Sequence, residues 1–432
     1  VVAIVGGGAS GTLLAAQLAR RGVSSAIIDG SGRAGKGIAY STLEDVHLLN
    51  VRAESMSAWP DKPDDFAKRF EAHDGNPSGY APRKLYGRYL GHILDEAVAG
   101  GLAEIIKASV VGARRKGSGW RLELGDGSAV ESEALALATG NQEPAEVAEF
   151  SDAGRRLIGN PWGSEARAAV ERLAQEGGDV LVVGTGLTMV DLVLSLDAAG
   201  HQGRIVAVSR RGLIPRSHAE FTPAPVDSDQ LPHGDLRALA RWLRRRSAEV
   251  GWRAAVDSLR PHTQQLWQEL GTEQQRRFLR HARAWWDVHR SRIAPEVAAT
   301  FARLVAEGRL EVIAGRIVSA READGGLEVE YRRRGVQTAQ TGRFAYAFNC
   351  TGPLHAISRS KDPLLRNLLD STDIRPDPLG IGVDVAEKSR AGERLWALGP
   401  LTRGRYWEII AVPDIREQAA AVADDIEREL KA

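Results

Sequence analysis

The pattern that most constrains the fold of this chain is a strand, a glycine turn and a helix, in that order, occurring twice. The first copy begins with the apolar run Val1–Val5, turns through Gly6-Gly7-Gly8-Ala9-Ser10-Gly11 and continues as an apolar helical stretch to Arg20. The second begins with Val180–Val183, turns through Gly184-Thr185-Gly186 and continues from Leu187 and Thr188 to Leu196. Helix starts carry unpaired N–H groups and the positive end of the helix dipole, so each copy can seat one pyrophosphate. With 432 residues the chain also exceeds what one core usually serves. The expectation is an α/β fold with two Rossmann-like dinucleotide-binding domains and an inserted helical subdomain.

Each copy runs on to a closing Thr-Gly turn. In the first, Ala26–Asp29 reads as the second parallel strand, the stretch from Ile105 to Leu137 as short strands between turns, and Thr139-Gly140 closes the unit. In the second, Arg204–Val208, a meander over Leu310–Tyr331 and the strand Tyr346–Asn349 lead to Thr351-Gly352. The expected domains are 1–160 with 335–432, and 161–334 carrying a helical insertion at about 218–300. The insertion holds five of the ten tryptophans, Trp242, Trp252, Trp267, Trp285 and Trp286, which with Phe278 are expected to fill the core of a small helical subdomain. Between Arg237 and Arg292 thirteen arginines stand against five acids. They are either solvated helix faces or an attraction for an anionic substrate.

Bulk properties exclude several classes. Lys plus Arg is 57 against 56 acids, so the net charge of +1 gives no general reason to expect a nucleic-acid or membrane partner. The lone Cys350 rules out an internal disulfide and a Cys-x-x-Cys redox pair. The most apolar stretch, 180–196, is broken by Asp191 and two glycines and is too short to span a bilayer. The expectation is a chain without a signal peptide before its first strand, with a cytoplasmic enzyme as the default. No metal-spaced histidines, Ser-His-Asp set or paired carboxylates stand out; His218, His262, His281 and His289 read as surface or core residues.

At the first turn, Gly6 permits the tight bend, Gly8 lets a pyrophosphate approach the backbone and Gly11 lets helix pack on strand. Asp29 lies 21 residues beyond Gly8, at the end of the next strand. A carboxylate there accepts from a ribose 2′-hydroxyl and repels a 2′-phosphate, which suits FAD or NAD. At the second turn Met189 replaces the third glycine and should hold the helix further from its strand. The following strand ends in Ser209-Arg210-Arg211, where a hydroxyl and two guanidiniums can bind a 2′-phosphate, making NADPH the expected second ligand. A solvated basic turn is the alternative. Asp191 reads as a favourable helix-dipole charge rather than a catalytic acid.

Together these residues resemble the two-dinucleotide-binding, glutathione-reductase-like flavoproteins, and within them bacterial FAD/NAD(P)-binding proteins related to flavin-dependent N-hydroxylating monooxygenases. The markers are Gly6 to Gly11, His47-Leu48-Leu49-Asn50, Ala81-Pro82-Arg83-Lys84-Leu85-Tyr86-Gly87, both Thr-Gly turns and Trp407 to Gln418. The resemblance implies FAD at Gly6, Gly8, Ser10, Gly11, Asp29, Val110, Thr139, Gly140 and Gly399, and NADPH at Gly184, Gly186, Leu187, Thr188, Ser209, Arg210, Arg211, Thr351 and Gly352. It places the loop with Asn50 and Met56 against the isoalloxazine ring, and Val412 at a helix start facing the flavin pyrimidine. Asn50 could equally be a turn residue, and Arg83 either a flavin-side or substrate contact or a surface charge. Gly399-Pro400 stands where many relatives have Gly-Asp, and Asn141 where the N-hydroxylases have Tyr.

The implied function is an FAD-dependent, NADPH-using monooxygenase acting with molecular oxygen, through a flavin C4a-peroxide, on a small anionic substrate, with amino-acid N-hydroxylation as one case. The catalyst is then the flavin, with Asn50 and Arg83 as candidate helpers. Two alternatives remain: an NAD(P)H-dependent reductase of a quinone, ferredoxin or small acceptor, and a non-catalytic flavin redox sensor. Self-association into a homo-oligomer is left open.

Overall fold

The computed structural model describes residues 1–432. The two copies form two largely parallel sheets built on one strand order. Ala134–Leu137, Val2–Val5, Ser25–Ile28 and Ala103–Ile106 lie side by side in the first; Tyr346–Asn349, Val180–Val183, Ile205–Ser209 and Leu310–Ala323 do so in the second. Register repeats as well: Val2 sits opposite Ser25 and Ala134, and Val180 opposite Ile205 and Tyr346. Both central strands are buried along their whole length, as continuous apolar runs covered on two faces require.

Three helices cover one face of the first sheet: Ala9–Arg20, Arg83–Ala99 and the C-terminal helix Val412–Lys431. The last buries Ile415, Ala419, Val422 and Ile426, an alternating four-and-three spacing that lines one helix face. On the other face lies an antiparallel sheet of Val110–Lys116, Gly119–Leu124 and Ala129–Ser132, whose Trp120 and Leu122 share a core with Ala3, Leu135 and Leu137.

Sheet membership corrects the expected boundaries. The strands Gln340–Phe344 and Tyr346–Asn349 belong to the second sheet, not with 335–432, because Tyr346–Asn349 pairs in parallel with Val180–Val183. Leu157–Ile158 joins its far edge. The first sheet regains the chain at Arg390–Gly392 and Leu395–Ala397.

The insertion is less self-contained than expected. Its first long helix, Leu236–Val250, is capped by Asp235, whose carboxylate accepts from the N–H groups of Arg237 (2.8 Å) and Ala238 (3.1 Å). The helix Pro295–Ala306, however, buries Val297, Phe301 and Leu304 in the second sheet's core and is the crossover into Leu310–Ala323. The tryptophans do not converge on one core. Trp285 is 48% exposed, while buried Trp267 stacks on Trp407 of the C-terminal segment at 4.7 Å and 24°. The insertion thus uses the first unit as its second wall.

Candidate functional site

The first glycine turn is shaped by contacts that only glycine allows. Gly6 has φ +105°, and a Cβ there would lie 2.4 Å from the Ala138 carbonyl oxygen. A Cβ on Gly11 would lie 2.0 Å from the Gly6 oxygen, so helix and strand touch backbone to backbone. Gly8 is different: the nearest atom to a Cβ there is Gly37 Cα at 3.6 Å, leaving an approach to the helix start. Asp29 braces the turn, one carboxylate oxygen accepting from Gly7 N (2.7 Å) and the other from Ser31 N (2.7 Å).

The other expected first-site residues fall into two groups. Thr139 and Gly140 adjoin the turn; the Thr139 hydroxyl is buried without a partner, and Gly140 (φ +73°) faces open space. Gly399 (φ +63°) approaches so closely that a Cβ would lie 2.4 Å from Ser10 Oγ. Ser10, Thr139, Gly140 and Gly399 therefore converge at one helix start. Val110 opens its strand just after Ser109, which abuts Gly30 beyond Asp29. Met56 is 2% exposed in the first core, with its carbonyl accepting from the Tyr86 hydroxyl at 2.9 Å. Val412, at the C-terminal helix start, is likewise buried in that core. Sequence reasoning missed Gln418, whose Oε1 accepts from Gly399 N and whose amide donates to Thr402 Oγ1 and Ser389 Oγ.

At the second turn, Gly184 (φ +108°) packs where a Cβ would meet the Cys350 oxygen at 2.2 Å, and Gly186 borders open space. Leu187 and Thr188 begin the helix half-buried, while Met189 is fully buried in the second core, so this helix packs through a side chain where the first uses glycine. Ser209 braces the second turn. Its hydroxyl accepts from Gly212 N (3.0 Å) and pairs with Thr185 Oγ1 (2.8 Å), holding the turn inward. Arg210 is exposed and makes no hydrogen bond or ion pair; Arg211 reaches only the His281 carbonyl, at 3.4 Å. The Thr351 hydroxyl donates to Asn349, and Gly352 (φ +91°) borders open space.

Arg83 is not a surface charge. Its Nη1 meets Asp191 Oδ2 at 2.6 Å with the side chains 12% and 6% exposed, and its Nε donates to the Leu48 carbonyl. This buried ion pair joins the first unit to the second glycine-turn helix, and it also redefines Asp191. His47 Nε2 contacts the Asp191 carbonyl and Ser195 Oγ beside it. The Asn50 carbonyl meets His218 Nε2 at 3.0 Å, and burial pulls that imidazole down to about 4.

Two charged clusters gather residues that their local sequence does not single out. Buried Arg403 lies near Gly140 and Pro400 with no carboxylate partner, contacting His355, which Arg283 also reaches. Burial, then Arg283, lowers Arg403 to about 10; burial, then the two guanidiniums, holds His355 far below its ordinary value. The second cluster lines a cleft of about 430 Å³ between the insertion and the C-terminal helix start, with Arg260, Gln264, Arg290, Glu408, Asp414 and Arg416 on its walls.

Residues 3–142 match a protein-family model described as FAD-NAD(P)-binding. The first glycine turn lies within the matched residues. Over the whole chain, the structure resembles ornithine hydroxylase from Pseudomonas aeruginosa, with a TM-score of 0.68 and 14% identity across 99% of both chains. L-lysine 6-monooxygenase from Pseudomonas syringae gives 0.67 and 17%, also across 99% of both. Thioredoxin reductase of T. acidophilum gives 0.56 and 12%, covering 100% of this chain and 98% of that one. No curated protein matches the chain in sequence. These likenesses establish the fold, that of the two-dinucleotide-binding flavoproteins. The open Gly8, the unpartnered Thr139 hydroxyl and the braced Asp29 fit a dinucleotide in the FAD-NAD(P)-binding domain.

Proposed function

We propose that the protein is an FAD-dependent, NADPH-using monooxygenase acting on a small anionic molecule, with amino-acid N-hydroxylation as one case. The observation that carries this reading is the asymmetry of the two glycine turns: a carboxylate beside the first and an unpaired exposed guanidinium beside the second. Asp29 has lone pairs left for ribose hydroxyls and repels a 2′-phosphate, which suits FAD. Arg210 is free to meet a 2′-phosphate, with Arg211 next to it, which suits NADPH. Gly6, Gly8, Ser10, Gly11, Thr139, Gly140 and Gly399 would hold the first dinucleotide, and Gly184, Gly186, Leu187 and Thr188 the second. Arg403, with no carboxylate of its own, adds positive charge near Gly140 where Pro400 supplies no acid.

FAD, when bound, supplies hydride acceptance and oxygen activation. The chain's own groups bind and orient. The start of the helix Val412–Lys431 presents its dipole to negative charge, and Arg416, donating to the Ser57 carbonyl at 3.0 Å, ties that helix to the loop carrying Met56. The thioredoxin reductase named above shares the fold, but buried Cys350 is the only cysteine here, so this chain has no dithiol pair of its own. Single-turnover work under ¹⁸O₂ tests the reading: FAD-loaded protein should oxidise NADPH and place one labelled oxygen in an organic product. NADPH oxidation that instead tracks added quinone, with no label incorporated, would support the reductase.

A further inference from the structure

The cleft between the insertion and the C-terminal helix is built from ionic groups that the protein leaves incompletely satisfied. Glu408 is committed: one oxygen accepts from Arg290 Nε at 2.8 Å, with both side chains near 12% exposed, and the other accepts from the Trp286 indole. Arg416 donates from Nη1 to the Ser57 carbonyl at 3.0 Å and pairs with exposed Glu417 at 3.4 Å. Arg260, however, makes no hydrogen bond and no ion pair, although burial, and then Arg290 beside it, lower its pKa. Asp414 Oδ2, Gln264 Oε1 and Trp407 Nε1 are buried without partners. Burial raises Asp414 against the pull of Arg290 and Arg260.

Buried donors and acceptors in folded proteins are nearly always paired. Here the residues that carry these unpaired atoms, Asp414, Gln264 and Trp407, line the same cleft of about 430 Å³ as the unpaired Arg260 guanidinium, and its volume is within the range of small-molecule sites. Three guanidiniums against two carboxylates leave the walls one positive charge in excess. The complementary ligand carries one net negative charge together with a hydrogen-bond donor. The tight pairing of Glu408 leaves Arg260 for the anion and Asp414 for the donor.

We propose that this cleft binds a small organic monoanion, its carboxylate on Arg260 and a donor group on Asp414, and that it is the substrate site. Its role as substrate site rests on the monooxygenase reading; ligand binding does not. The cleft's walls come from both halves of the chain: Arg260, Gln264 and Arg290 from the insertion, and Trp407, Glu408, Asp414 and Arg416 from the segment that returns to the first unit.

Calorimetry on FAD-loaded protein without NADPH tests this, with 4-hydroxybutyrate as the monoanionic probe carrying both groups, butyrate lacking the donor and 1-butanol lacking the anion. 4-Hydroxybutyrate should bind at least tenfold tighter than either. Arg260→Ala should weaken it at least tenfold, Arg260→Lys should restore part of that loss, and Asp414→Asn should erase the preference over butyrate. Unchanged FAD affinity and thermal midpoint show that the variants are folded. Absence of saturable 4-hydroxybutyrate binding, indifference to Arg260→Ala in a folded variant, or binding seen only in FAD-free protein would each overturn it. The last outcome would make the cleft part of the flavin site. Specific binding without oxygen-dependent NADPH oxidation would instead leave the cleft assigned and refute the monooxygenase reading.

Discussion

Replacing Asp191 with Ala should destabilise the protein more than any exposed charge removal, because it strands a buried guanidinium. Arg83 and Asp191 meet at 2.6 Å with 12% and 6% of their side chains exposed. Breaking such a pair from one side costs about 3–5 kcal/mol, since the remaining charge keeps its desolvation penalty without its partner. An exposed pair such as Arg343–Asp324, at 68% and 79%, should cost ~0–1 kcal/mol to remove. Urea unfolding at neutral pH measures both. Converting the pair together, Arg83→Met with Asp191→Leu, removes both buried charges and should recover more than half of the loss. The bond also spans the two halves, so Asp191→Ala should expose the Leu48 and Ser195 region to faster amide exchange. If Asp191→Ala stays within about 1 kcal/mol of the wild type, or the double variant is no better than the single one, the pair is not the anchor its burial implies.

The glycine turn separates binding from folding. Gly8→Ala should leave stability nearly unchanged, since its Cβ finds nothing closer than 3.6 Å, but weaken FAD at least tenfold in a fluorescence titration. Gly11→Ala puts its Cβ 2.0 Å from a backbone oxygen and should cost about 1–3 kcal/mol in chemical unfolding, even without cofactor. Arg210→Ala with Arg211→Ala should raise the KM for NADPH by roughly 10- to 100-fold, from charge-assisted bonds of about 1.5–3 kcal/mol, and leave that for NADH nearly unchanged; equal effects on both would refute the phosphate role. His218 titrates near 4 when folded and near its ordinary 6.5 when unfolded, so the unfolded chain takes the proton first. Stability should therefore fall as pH drops from 6.5 towards 4, by at most about 1.4 kcal/mol per pH unit, and His218→Gln should flatten that slope.

Backbone requirements were legible in the sequence, and pairings between distant side chains were not. Gly6 and Gly184 announce their turns because φ values of +105° and +108° beside a crossing carbonyl exclude other residues, and the β-branched runs before them can only be buried strands. The repeated strand order follows from that pattern. Met189 shows the limit: a missing glycine suggested a looser helix, yet a side chain can fill the contact from the core side. Arg83 and Asp191 stand 108 positions apart, and nothing in their local sequence distinguishes a buried pair from two surface charges. The same is true of Arg403, Arg260 and Asp414. The arginine surplus in the insertion did point towards an anion, but not to which of its thirteen arginines would face a cleft.

The insertion's dependence on the first unit explains why that cleft is where it is. A helical subdomain with its own core would keep its tryptophans to itself; here Trp267 stacks on Trp407, its indole donates to the Gly404 carbonyl at 2.8 Å, and Trp286 and Arg290 clasp Glu408. Each contact falls in the segment 404–408, just before the helix Val412–Lys431. Docking the insertion therefore positions the start of that helix, and truncating Trp267 or Trp286 should disturb the cleft and the helix start together. An insertion that only decorated the fold could not couple them, because its contacts would end within itself.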